Sequence, residues 1–207
     1  MGMAQKSMAR RNDHTREELV ELTLQKVKEF LADQPHHSLS LRKIATQIGY
    51  VPSTLVNIFG NYNLLLLQVV AQTVDELRIE ASTALENSNS TEEALYNLAY
   101  CYHDFAQQNP YRWQLIFQHT MNGENLPDWQ SERIDNMTSM LEKLIAILSP
   151  TKSEYEIVEA SRVLWAGVHG ITVLSVDDKF FTSSPIDGKA LIKNLLSNYL
   201  QNWHKNE

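Results

Sequence analysis

The sequence predicts an all-α protein of about nine helices, and three observations carry that prediction. Apolar residues recur at three- and four-residue spacing through nearly the whole chain of 207 residues. Glycine and proline number only seven and six, too few for the frequent turns of a β-sandwich or barrel. Where they do occur, together with Ser, Thr and Asn, they punctuate the apolar stripes at helical lengths.

The elements follow in order. Leu19, Val20, Thr23, Leu24, Val27, Phe30 and Leu31 form the stripe of a helix over about 15–33, closed by Pro35-His36-His37-Ser38. Ser40 suits the N-cap of a helix from Leu41 to Ile48, stopped by Gly49. Pro52 fits the first position of a short helix to about Ile58. After Gly60-Asn61, a long helix from Leu64 to about Leu85 opens on four consecutive leucines, the pattern of burial between neighbours. Ser90 or Thr91 caps a helix from Glu92 to about Gln108, which Asn109-Pro110 breaks before a short helix through about His119. Asp128 to Leu148 is helical and ends at Ser149-Pro150. Ser153 caps a helix to about Val176, and the last helix covers about 187–203.

Composition excludes several classes. Hydrophobic residues at 43% and charged residues at 21% are ordinary for a globular chain. The single cysteine, Cys101, rules out an internal disulfide or a thiolate zinc site. No apolar run approaches the ~20 residues of a membrane span, and the N-terminus lacks the apolar core of a signal peptide. The expectation is a cytoplasmic protein with no membrane partner. Net charge is −7, yet residues 1–62 carry eight Lys/Arg against six Asp/Glu, and the remainder ten against nineteen. A basic head containing Lys6, Arg10, Arg11 and Arg16 on an acidic body fits a head that meets phosphates. Uneven scatter of charge accounts for the same balance.

The segment 40–59 is the sharpest local signal. A helix of about two turns, a glycine and a second short helix within twenty residues is helix-turn-helix geometry. Gly49 suits the turn because a positive φ is needed there. Ile44, Ala45, Ile48, Leu55 and Ile58 have the spacing to pack the two helices together, leaving Ser53, Thr54 and Asn57 outward, where short polar groups can reach base edges. An αα-corner in a bundle, with Gly49 as a plain C-cap, has the same spacing.

The run Leu41-Arg42-Lys43-Ile44-Ala45-Thr46-Gln47-Ile48-Gly49-Tyr50-Val51-Pro52-Ser53-Thr54-Leu55-Val56-Asn57-Ile58-Phe59 resembles the DNA-binding signature of TetR-type transcriptional regulators. The resemblance implies that Pro52–Ile58 is the recognition helix and that Leu64 onward connects it to the body. A second resemblance lies in Asn109-Pro110-Tyr111-Arg112-Trp113-Gln114-Leu115-Ile116-Phe117 and Trp165-Ala166-Gly167-Val168-His169-Gly170, similar to the C-terminal regulator domain named for its Trp-His-Gly residues. Three positions depart from the family pattern. Val51 stands where a capping Ser or Thr is usual, Val56 where Tyr is usual and Tyr62 where Lys is usual. Each lost phosphate contact weakens DNA binding and flattens its salt dependence.

An enzyme is not expected. The seven histidines lack metal-ligand spacing, and no Gly-x-Ser-x-Gly, P-loop or dinucleotide glycine pattern occurs; no catalytic residue, metal or cofactor is assigned. The predicted division is residues 1–62, an N-terminal arm and helix-turn-helix unit, and residues 63–207, an effector-binding and dimerisation bundle. Candidate DNA contacts are Ser40, Arg42, Lys43, Ser53, Thr54, Asn57 and Tyr62. Candidate ligand contacts are Tyr102, Trp113, Phe117, Met137, Leu141, Trp165 and His169, each of which is also suited to plain core. The resemblance implies a pocket between the helix from Leu64 and those at 92–108, 110–119, 128–148 and 153–176. It also implies a homodimer through the last two helices, with Leu164, Val168, Ile171, Leu191, Leu195 and Tyr199 on the contact stripes. The expected function is a repressor released from a double-stranded, pseudo-palindromic operator by a small apolar or aromatic effector. A small-molecule-binding protein of the same fold, with weakened operator affinity, is the alternative that the three departures favour.

Overall fold

Thr15 starts the first helix with a reciprocal cap: its hydroxyl accepts from the Glu18 N–H at 3.2 Å, and the Glu18 carboxylate accepts from the Thr15 N–H at 2.7 Å. The computed structural model describes residues 14–123, 125–177 and 187–205. Among them lie nine α-helices and no strand. The expected basic positions Lys6, Arg10 and Arg11 fall outside the described residues.

The N-terminal helices are α1 (Arg16–Asp33), α2 (Leu41–Gln47) and α3 (Pro52–Phe59), with a single 3-10 turn at His36–Ser38. Ser40 caps α2 as its sequence position predicts, accepting from the Lys43 N–H at 3.3 Å. Gly49 follows with φ +78°. Pro52 occupies the first turn of α3, which has no side-chain cap because Val51 offers none. Asn61 caps α4 (Tyr62–Glu86), a helix of 25 residues that starts two residues earlier than the leucine run suggests.

The body comprises α5 (Thr91–Gln108), α6 (Pro110–Gln118), α7 (Asp128–Leu148), α8 (Glu154–Asp177) and α9 (Gly188–Lys205). Ser90 caps α5, and the Ser153 hydroxyl accepts from the Glu156 N–H at the start of α8. Contrary to the expectation from the sequence, α8 is long and apolar enough to cross a bilayer by length and composition. Part of that apolarity, Ala160, Leu164 and Val168, is buried in the body's core.

Two hydrophobic cores form. One gathers Leu24, Val27 and Leu31 of α1, Ile44 and Ala45 of α2, Leu55 and Phe59 of α3, and Leu65 to Val74 of α4. The other gathers α5, α8 and α9 around Phe105, Leu164, Ile192 and Leu196, with Leu77 of α4 and Ile145 of α7. The first half of α4 thus roofs the helix-turn-helix unit, and along α4 the packing passes from one core to the other between Val74 and Leu77. Leu115 of α6 also belongs to the N-terminal core, whereas Trp113 belongs to the other.

Gly167 and Gly188 mark close approaches. A Cβ at Gly167 would meet Leu195 of α9, and one at Gly188 would meet the buried His103 ring and Ser175. At Gly170 the same position faces open space.

Candidate functional site

The outward face of α3 is set by what lies beneath it. Leu55 is fully buried and Phe59 nearly so, against Ile44 and Ala45 of α2. Helical periodicity then turns Ser53 and Asn57 to solvent and leaves Thr54 half-buried. Arg42 and Lys43 are exposed on α2. The Lys43 ammonium donates to the Ser38 carbonyl at 2.6 Å and lies 5.8 Å from the Phe30 ring centroid. Arg16, placed in the basic arm from sequence, lies at the start of α1, where its guanidinium donates to the Ile58 carbonyl at 3.2 Å. That contact suits a cation at the C-terminal end of α3.

Tyr62 does not stand where the sequence reading put it. Its hydroxyl is buried without a hydrogen-bond partner, and burial raises its pKa. The ring packs against the N-terminal core, so it presents nothing to a phosphate. The missing cap of α3 supports a direct prediction. Val51 already has extended backbone, φ −95° and ψ 151°. Val51→Ser should therefore stabilise the protein by about 1 kcal/mol, by accepting from an orphan N–H of the first turn, and a urea midpoint at or below wild type would contradict this.

In the body a cavity of about 700 Å³, counted out to its open mouth, lies among α4, α5, α7, α8 and α9. Its walls include Leu77 and Ala81 of α4, Leu98 and Tyr102 of α5, Met137 and Leu141 of α7. Arg162, Leu164, Trp165 and Val168 of α8 and Leu196 of α9 also line it. Its apolar walls and open mouth suit a small apolar molecule. Four candidates from the sequence, Tyr102, Met137, Leu141 and Trp165, are thus on the wall. Three are not. Trp113, Phe117 and His169 form an aromatic cluster behind Tyr102 and Trp165, and α6, expected as a wall, gives way to α9.

That cluster centres on His169. Trp165 stacks on its ring at 5.2 Å and 16°, and Phe117 and Trp113 lie 4.4 and 5.3 Å away between centroids. The Tyr102 hydroxyl lies 2.7 Å from Nδ1 of His169. Burial lowers the His169 pKa and raises that of Tyr102. A neutral imidazole accepting from a neutral phenol is the pairing these shifts favour. His169 thereby reaches the cavity through Tyr102 and Trp165.

An ionic junction that the sequence reading missed joins the two parts of the molecule. Glu76 of α4 accepts from Lys28 of α1 and, at 2.6 Å, from Arg112 of α6, whose guanidinium also donates to Asn109. Its partners stand 48 and 36 residues away along the chain, so no local spacing signals them. Arg133 of α7 adds a contact to Asp75 at 3.0 Å. The cavity-lining Leu77 follows directly after Glu76. Arg162, paired with Glu142 at 3.0 Å, was also missed, since one exposed arginine on an apolar helix has no distinguishing pattern.

Residues 95–199 match the family model described as the tetracyclin repressor-like C-terminal domain, and that span is half of the chain. The chain belongs to the TetR family of transcriptional regulators. The match contains both body segments on which the resemblance rested. No curated protein matches the chain by sequence. Among solved structures, a protein of unknown function from a Rhodococcus species is similar with TM-score 0.77 and 14% identity, over 94% of this chain and 98% of the other. The TetR-family regulator PfmR from Thermus thermophilus gives 0.61 and 14%, over 86% and 97%. AibR, solved in complex with isovaleryl coenzyme A and operator DNA, gives 0.60 and 10%, over 88% and 96%. At these identities the likeness concerns the fold, which the TetR family shares from the helix-turn-helix unit through the bundle.

Proposed function

We propose that this TetR-family protein is a cytoplasmic, homodimeric repressor that leaves a pseudo-palindromic operator when a small apolar or aromatic effector fills the cavity. The observation that carries the reading is α4. Its first half roofs the helix-turn-helix unit and its far half supplies Leu77 and Ala81 to the cavity wall. One rigid helix, spanning roughly 37 Å at 1.5 Å per residue, therefore has the DNA-facing unit at one end and the cavity at the other. An effector that prefers one setting of α4 biases the spacing of the recognition helices; one that binds both settings equally shifts nothing. Isovaleryl coenzyme A on AibR is an instance of a small-molecule ligand on the same fold.

Dimerisation through α8 and α9 keeps part of the expected stripe, since Ile171, Leu191 and Tyr199 remain partly exposed. Leu164 and Val168 are buried within a single chain, and Leu195 packs on Gly167. Tyr155 and Val163 are instead exposed on α8, at 75% and 50%, with Ala166 exposed one turn on. These apolar side chains, with exposed Glu159 and Arg162 among them, suit a self-complementary two-fold contact, and the Trp-His-Gly type of body domain is part of the same proposal.

The experiment is selection of bound duplexes from a random library. The expected product is a pseudo-palindrome with half-site centres about one helical turn apart. Replacing Arg42 and Lys43 with Ala should weaken binding to every sequence and flatten the salt slope by up to about 2 units, roughly one per phosphate contact. Asn57→Ala should also relax sequence preference. Failure to recover any duplex at low salt would overturn operator binding. The buried Tyr62 hydroxyl would then favour the second reading, a ligand-binding protein of this fold without an operator.

A further inference from the structure

The solvent side of α3 is not purely polar. Val56 lies between Ser53, one turn earlier, and the adjacent Asn57, and is 44% exposed; Val51, immediately before the first turn, is 60% exposed. Neither is among the buried residues of the N-terminal core, whose contribution from α3 comes from Leu55 and Phe59. A lone exposed valine needs no explanation. Two of them flanking the polar face of the short helix in a helix-turn-helix unit, beside exposed Arg42 and Lys43, stand where a duplex would lie.

In a major groove an isopropyl group can donate to nothing and accept from nothing. The groove feature it complements is the 5-methyl group of thymine, which only A·T pairs display. Asn57, next along the chain, has the amide geometry that pairs with adenine N6 and N7.

We propose that Val56, supported by Val51, is a specificity-determining residue that selects thymine in each operator half-site by apolar contact with its methyl group. The proposal rests on operator binding as argued above. It assigns to Val56 the reading of a base, in place of the phosphate contact that a tyrosine makes at this position in the resembling signature. A neighbouring A·T pair read by Asn57 would make each half-site A·T-rich beneath α3.

The test removes the methyl and nothing else. In the selected duplex, each thymine is replaced singly by deoxyuridine, which keeps every hydrogen-bonding group of the base. Wild-type protein should lose about three- to fivefold in affinity per methyl at one or two positions of each half-site, and little elsewhere. Val56→Ala should bind the thymine duplex that much more weakly and should no longer distinguish deoxyuridine at the matched position, the signature of a direct pair. Val56→Thr, close to isosteric, controls for shape and should keep part of the discrimination. Substituting 5-methylcytosine for cytosine at that position in a C·G variant should recover affinity for wild type alone. Equal binding to all deoxyuridine duplexes, or undiminished discrimination by Val56→Ala, overturns the proposal while operator binding stands. No binding to any duplex overturns both.

Discussion

Trp113→Ala should destabilise the protein by about 3–5 kcal/mol, the range for removing a buried aromatic, out of a total of roughly 5–15 kcal/mol for a domain. The side chain is 2% exposed. It meets Tyr102 edge-on at 5.8 Å and Phe117 at 5.3 Å between centroids, so its loss opens a void beneath the cavity wall. Its indole N–H is buried beside the Tyr102 hydroxyl, and Trp113→Phe, which gives up that donor while keeping a ring, should cost clearly less than the alanine. Phe117 sits in the same cluster but is 42% exposed, and Phe117→Ala should cost only about 1–2 kcal/mol in lost burial. Urea denaturation of the three variants checks this. Equal losses for Trp113→Ala and Phe117→Ala would mean that burial does not separate core from rim here.

Glu76→Gln should loosen the junction between the helix-turn-helix unit and the body. Burial pushes the Glu76 carboxyl up, but hydrogen bonds from Lys28 and Arg112 together outweigh it and hold the group below its ordinary value of 4.5. A carboxylate with a depressed folded-state pKa stabilises the protein above its unfolded pKa, and that stabilisation fades as pH falls through the folded value. Glu76 is about a third exposed, 34%, so solvent screening reduces the effect to about 1–2 kcal/mol at pH 7. The largest share is the uncompensated charge of Arg112, the less exposed of the two cations. The measurement compares unfolding of wild type and variant at pH 7 and at pH 3. The gap should narrow at the lower pH, which lies below the ordinary carboxyl value, because the unfolded wild type binds a proton there that the native carboxylate resists. A gap that stays constant would assign the loss to side-chain shape rather than charge. Hydrogen exchange should quicken at neighbouring ends of α1 and α6 in the variant, since both helices lose their common anchor.

Much of the fold was legible from local chemistry. Ser40, Ser90 and Ser153 each begin a helix because a short hydroxyl can satisfy orphan N–H groups. Gly49 and Pro52 bracket the turn between α2 and α3 because their backbone preferences match the turn and the first helical position. The pairing of Ile44 and Ala45 with Leu55 followed from spacing alone, as did the outward positions of Ser53 and Asn57. The family signature spans the same residues, and its C-terminal counterpart lies within the matched span of the body.

What the sequence could not determine were the faces of helices buried on more than one side. Trp113 and Leu115 lie two residues apart on α6, about 200° around the helix axis, and each enters a different core. Both read as apolar, and nothing in a single stripe tells which neighbour each will meet. That is why Trp113 and Phe117 were expected on the cavity wall, and why α9 was not. Leu164 and Val168 suited a partner's surface equally well until the fold placed them in the body's core and along the cavity, leaving Tyr155 and Val163 outward. Tyr62 had a hydroxyl in a plausible place, and only the packing of α4 against the N-terminal core decided that it points inward. The Glu76 junction joins three helices distant along the chain. Capping and turn formation are decided by groups a few residues apart, so sequence alone determined them; the cavity, the ionic junction and the free face of α8 depend on which helices meet, and the tertiary structure decided those.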